Sequence, residues 1–254
     1  MLTFFRRIRQ SLLESSQTRK YILYAIGEIA LVVLGILIAL QINNWNEGLK
    51  SNKIELQILA GLKTELTNNK ASLEEAISHH QSTVEHCWTI LDLFNQNIDQ
   101  YNSDLLDSLL SHVGVQWTFN SRHGFLNSTI SSGNITHLSN EELVNLLSGY
   151  ENHVTDATEW IHPNNAFYMN QLLPILTNYI PASSSKRIET RGGWSKVPPS
   201  RFTRDYSGLF SDVHIESYLA QWCVEVNITL KDEVALSSTL ERMISLINDG
   251  LKLE

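Results

Sequence analysis

The sequence predicts an all-α protein: an N-terminal transmembrane helix that continues into an elongated, exported helical bundle, with two long antiparallel helices and shorter helices between them. Three observations carry this. Tyr21 to Ile42 reads YILYAIGEIALVVLGILIALQI with one acidic residue, and about 22 such residues suffice to cross a bilayer as a helix. Apolar residues recur at helical steps from Ile54 to Leu91 and again from Ile215 to Ile247. No proline interrupts the chain between Trp45 and Pro163, so a long helix is free to form there.

The chain has 254 residues, enough for one anchor and one mid-sized domain. Its 27 acidic residues outnumber 19 basic ones for a formal net charge of −8, which argues against nucleic acid as a partner. The charge is uneven. Arg6, Arg7, Arg9, Arg19 and Lys20 precede the apolar stretch and are opposed only by Glu14. Basic residues flanking a span stay in the cytoplasm, so the N-terminus is predicted to be cytoplasmic and the C-terminal domain exported. A cleaved signal peptide competes with this reading, but the apolar run is about twice a usual signal core and no small-x-small cleavage site precedes Gln41.

Residues 1–20 read as a basic amphipathic arm, with Phe4, Phe5, Ile8, Leu12 and Leu13 among the arginines, suited to the headgroup layer of anionic lipid. Residues 21–43 form the span. Within it Ala25, Glu28, Val32, Gly35 and Ala39 recur at steps of three and four and therefore share one face. Gly35 and Ala39 allow a second helix to come close. Glu28 lies about 12 Å inward from Lys20 at 1.5 Å per residue, where an ionised carboxylate is costly. It either reaches back towards the cytoplasmic interface, fixes helix register, or meets a partner helix; an ion pathway is the least favoured alternative. Tyr21, Tyr24 and Trp45 are placed as interfacial aromatics.

FFRRIRQSLL followed by KYILYAIGEIALVVLGILIALQINNWNE resembles the N-terminal signature of a family of uncharacterised bacterial single-span membrane proteins, a domain-of-unknown-function family. Further on, TISSGNITHLSNEELVNLLSGYE is similar to that family's second recurring stretch, a small-residue SSGN turn leading into a helix. The resemblance implies topology and no activity, ligand or cofactor. It also implies a bacterial inner membrane, and hence a periplasmic location for residues 44–254.

In that domain Ile54, Ile58, Leu62, Leu66, Leu73, Ile77, Val84, Trp88 and Leu91 mark the apolar face of the first long helix, with Gly48 and Gly61 as weak points costing about 1 kcal/mol each relative to alanine. A shorter helix is predicted over Asp104 to Val113, and a helical turn or two over Phe125 to Ile130. Ser139 and Glu142 have capping-box spacing, so a helix should begin near Asn140 and bury Leu143, Leu146, Leu147, Tyr150, Val154 and Ala157. A break is expected at His162 and Pro163, then a helix over Asn165 to Tyr179 bent at Pro174. Residues 181–207 form a long basic loop carrying Lys186, Arg187, Arg191, Lys196, Arg201 and Arg204, either a solvated excursion or a docking patch for an acidic partner or anionic headgroups. Asp212 should cap the last long helix, whose apolar side is Ile215, Leu219, Trp222, Val226, Leu230, Val234, Leu240, Ile244 and Ile247, with Asn248, Asp249 and Gly250 as its stop.

Candidates for chemistry are few. Cys87 and Cys223 are the only cysteines, each beside a tryptophan, and are read as two buried thiols or, alternatively, a disulfide. His79, His80 and His86 are the densest histidine group, but seven residues from first to last is too far for one ion without a neighbouring helix, so no metal is assigned. There is no GxSxG, SxxK or HExxH, and no phosphate-loop or dinucleotide fingerprint. No catalytic residue and no cofactor are assigned. The predicted role is a non-enzymatic, membrane-anchored interaction or scaffold module, self-associating through the span or joined to a partner membrane protein. A ligand-sensing helical domain acting through such a partner is the alternative.

Overall fold

The computed structural model describes residues 16–114, 117–182 and 200–252. Most of the basic arm and four of the predicted docking-loop residues, Lys186, Arg187, Arg191 and Lys196, lie outside the described residues. The fold is all-α, with no strand among the described residues. The chain divides into two compact units, Met1–Glu55 and Leu56–Glu254.

A single helix, α1 (Ser16–Leu93), covers both the apolar stretch and the residues predicted to continue it. Gly48 and Gly61 do not break it. In the first unit, every residue from Ala25 to Lys50 is exposed, including Ile29, Leu31, Val32, Ile36 and Leu40. α1 is the one helix among the described residues that is long and apolar enough to cross a membrane.

The second unit is built on α1 and the 40-residue α8 (Val213–Lys252). On α1 the buried positions Leu62, Leu66, Asn69, Leu73, Ala76, His80, Thr83, Cys87 and Ile90 advance by alternating steps of four and three. On α8, Ile215, Leu219, Trp222, Val226, Thr229, Glu233, Leu236, Leu240, Met243 and Ile247 do the same. This is the 3.5-residue repeat of a coiled-coil seam. Partners fall in number on one helix as they rise on the other: Lys70 meets Glu241 at 3.1 Å, and His80 meets Glu233 at 2.8 Å. The two helices are therefore antiparallel.

Tracking apolar residues alone displaced the sequence reading at two points. Trp88 and Val234, placed on the core face, are 52 % and 48 % exposed, because Cys87 and Glu233 hold the inward positions beside them. The expected stop at Gly250 is also absent, since α8 continues to Lys252. Gly250 instead permits close packing: a Cβ there would lie 3.0 Å from Leu59 Cδ1.

Short elements fill the space around this pair. After a 3₁₀ turn (Ile98–Gln100) come α2 (Ser103–Val113), capped by Asn102, and α3 (Gly124–Ser131), both close to the predicted spans. The SSGN turn follows α3, with Gly133 in the left-handed region at φ 76°. Helix α4 (Glu141–Thr158) packs on α8 and buries Leu143, Leu147, Tyr150 and Ala157. Its N-cap is Asn140, which accepts the Leu143 N–H at 2.9 Å, rather than the expected Ser139. Glu142 accordingly turns outward and accepts two bonds of 2.7 Å from Arg242.

The chain breaks after Thr158, earlier than expected, and α5 (Ile161–Phe167) contains His162 and Pro163. Pro163 sits in the first turn, where its missing N–H removes no helical bond. The bend expected at Pro174 is a π-helical turn, Tyr168–Leu172, directly before α6 (Leu173–Leu176). Widening the turn ahead of Pro174 relieves the clash a proline ring makes inside a regular helix. After α7 (Tyr206–Leu209), Asp212 caps α8 as predicted. Its carboxylate accepts the His214 N–H at 2.8 Å and the Tyr179 hydroxyl at 2.9 Å, which together hold its pKa below the usual carboxylate range.

Gly61 has a packing role that its helix propensity hides. A Cβ at this position would lie 2.2 Å from Cζ of Phe125, so the ring lies against bare backbone. In a Phe125→Ala background, Gly61→Ala should stabilise the protein by about 1 kcal/mol through helix propensity. With Phe125 present that gain should vanish or reverse, as measured by denaturant unfolding of the four proteins of the cycle.

Candidate functional site

Polar side chains interrupt the α1–α8 seam at Asn69, His80, Thr83, Thr229 and Glu233, each less than 5 % exposed. A polar group in such a place costs free energy unless it is hydrogen-bonded, so the partners of each show what it is there to do.

Glu65 and Asn69, one helical turn apart, clamp the segment that leads into α3. Glu65 accepts the N–H groups of Phe125 at 2.8 Å and Leu126 at 3.0 Å, capping a helix that has no side-chain cap of its own. Asn69 accepts the Arg122 N–H at 2.9 Å and donates to the Arg122 carbonyl at 2.6 Å and to the Tyr150 hydroxyl at 3.0 Å. Tyr150 also bonds Ser121, and burial pushes its hydroxyl pKa up. Through these bonds α1 holds α3 and α4 in place.

The centre of the seam is His80 and Glu233. Glu233 is fully buried; its Oε2 lies 2.8 Å from His80 Nδ1, while its Oε1 has no hydrogen-bond partner. The Trp117 N–H donates to His80 Nε2 at 3.4 Å, which assigns the ring proton to Nδ1 and makes Nδ1–H the donor to Glu233. Beside His80 is a small space of about 10 Å³ lined by Ile161, Asn164, Val226 and Thr229. That is room for about one water and for no organic substrate. Asn164 donates across it to Thr229 at 3.1 Å. The arrangement is suited to fixing which layer of α1 meets which layer of α8, since a slip would strand a carboxylate in the core.

The three histidines singled out in the sequence diverge. His79 stacks on Trp117 with centroids 4.0 Å apart, His80 turns into the seam, and His86 stacks on His112 at 4.2 Å. The ring nitrogens of His86 and His112 nearest the backbone donate to the carbonyls of Ser82 and Ser108 at 2.6 and 2.7 Å. Among the described residues no three His, Cys, Asp or Glu side chains come together as a metal site. Cys87 and Cys223 share one core cluster: both are fully buried free thiols, Cys87 on the α1 side of the seam and Cys223 beside Trp222 on the α8 side. The Cys223 side chain and, after it, burial push the Cys87 thiol up.

Of the docking-loop residues that are described, Arg204 is engaged by the domain itself, with its Nη2 3.0 Å from Oδ2 of buried Asp107. Tyr206 donates to the other Asp107 oxygen, and burial together with this bond raises the Tyr206 pKa. Arg201 lies 5.0 Å over the exposed ring of Phe202. In the first unit Ala25, Glu28, Val32, Gly35 and Ala39 are all exposed on α1, and a shallow groove runs along Ala25, Glu28, Ile29, Val32 and Val33. Sequence reasoning missed Glu233 and Asn69. The signal that locates them is the unbroken four-three spacing, into which both fit once polar residues are allowed to occupy it.

Replacing His80 by Ala leaves Glu233 buried without its partner and should cost roughly 3–5 kcal/mol. The double replacement His80→Met with Glu233→Leu should recover most of that loss. Urea unfolding of the intact chain in detergent micelles, followed by helical circular dichroism, checks both.

No curated protein and no solved structure matches the chain. Residues 28–155, half of the sequence, match a family described as a family of unknown function, DUF6090. They contain most of the exposed apolar stretch, the Glu65 and Asn69 clamp on the start of α3 and the SSGN turn after it, and the chain belongs to this family.

Proposed function

We propose that this chain is a non-enzymatic, membrane-anchored interaction or scaffold module of a bacterial inner membrane. It crosses once, with the N-terminus cytoplasmic and residues 44–254 in the periplasm. It associates with a second copy, or with a partner membrane protein, through the face carrying Ala25, Glu28, Val32, Gly35 and Ala39. The observation that carries this reading is Glu28 itself, a lone carboxylate on an exposed apolar helix, flanked by a groove and two small residues. In lipid such a group is stabilised by facing another helix or water rather than acyl chains. The second unit supports the same reading, because its buried polar groups are committed to holding helices together and the space beside His80 is water-sized.

With this face of the span mediating assembly, Glu28→Leu and the pair Gly35→Leu with Ala39→Leu should both reduce the oligomer or the co-purified partner in mild detergent. Unchanged assembly in both variants removes this face from the argument. A tag fused after Glu254 should be open to protease from the periplasmic side, and a cytosolic tag would overturn the compartments.

The ligand-sensing reading rests on a different observation. An open cleft of about 390 Å³ lies between α1 and the end of α8, lined by Thr67, Lys70, Glu241, Ser245, Asn248 and Lys252 among others. That volume falls in the range of small-molecule sites. Lys70 is bound there by Glu74 and Glu241, which raise its pKa. A sensor should show a thermal shift with some polar metabolite that is lost in Lys70→Ala, whereas a pure scaffold should show none across a metabolite panel.

A further inference from the structure

We propose that Cys87 and Cys223 are a modification site: a pair that closes into a disulfide and ties α1 to α8 covalently. They are the only cysteines in 254 residues, separated by more than half the chain, yet the register set by Lys70 with Glu241 and His80 with Glu233 brings Cys87 level with the turn of α8 that carries Cys223, and both lie in one buried cluster. Both are fully buried, with Val84, Ile90, Leu219 and Val226 in the same core cluster. Each is flanked in sequence by a tryptophan, and Trp222 is fixed by donating its indole N–H to the Val113 carbonyl at 2.7 Å.

The reaction is thiol–disulfide exchange with a disulfide-bearing oxidant. One cysteine, as thiolate, attacks the oxidant's S–S bond and forms a mixed disulfide, releasing one thiolate of the oxidant. The second cysteine then attacks the protein sulfur of that bond and releases the other. One S–S bond forms and one breaks; the oxidant takes two electrons and the two thiol protons. Neither sulfur is accessible once α8 has docked, so exchange belongs to folding or to transient opening, and the finished bond is shielded from reductants.

The test uses the full chain purified in detergent. It is unfolded with reductant and refolded either in reductant or in a glutathione disulfide mixture, then denatured and treated with a polyethylene-glycol maleimide. Reduced protein should carry two adducts and oxidised protein none, with a proteolytic fragment joining the segments around Cys87 and Cys223. Oxidation should raise Tm by several degrees, and unfolding in reductant followed by refolding should reverse the rise. The Cys87→Ser with Cys223→Ser protein should keep its helicity and show no redox-dependent Tm. Two adducts after oxidative refolding, disulfide-linked dimers in place of the internal bond, or an oxidised form with reduced helicity would each overturn the proposal. Because the chemistry is tested on purified protein, its outcome is independent of the compartment, which the tag fused after Glu254 reports separately.

Discussion

Register between α1 and α8 depends on the contact of His80 with Glu233. Apolar layers alone specify register poorly, since sliding one helix by a heptad puts leucine against leucine again. A fully buried carboxyl group resists such a slide, because a heptad shift sets it against Leu73 or Cys87 instead of an imidazole donor. The imidazole opposite it is itself oriented by the Trp117 N–H. The contact therefore joins three parts of the chain that are far apart in sequence, and the remaining layers follow from it.

The peripheral elements are attached in the same manner, by polar groups that long helices direct at backbone. Glu65 supplies the cap that α3 lacks, Asn69 pairs with both backbone groups of Arg122, and Trp222 satisfies the last carbonyl of α2. Asp107 holds Arg204 and Tyr206 where the chain returns before α8. Burial of leucine and isoleucine provides most of the driving force, being non-directional and proportional to area. These bonds decide where each short helix is placed.

Helix positions were largely legible in the sequence, because proline spacing and helical periodicity are local properties. The 40-residue final helix, its Asp212 cap and the short helix before the SSGN turn all followed from such signals. What escaped was non-local. Trp88 and Val234 look like core residues until the seam is known, and Cys87 and Glu233 then displace them. Asn140 rather than Ser139 caps α4, and Glu142, the other half of the expected box, pairs with an arginine a hundred residues away. Among the candidate groups, the shared cluster of the two cysteines and the separation of the three histidines depended on antiparallel pairing, which sequence alone could only presume.

The matched family segment ends at residue 155, whereas the residues that cover Leu62, Leu66 and Leu73 from the other side of the seam lie between 213 and 252. Half of the coiled-coil interface thus lies outside the matched segment. A fragment cut at that boundary would present a bare leucine stripe with Asn69 and His80 stranded upon it, because α8 supplies the facing half of the core.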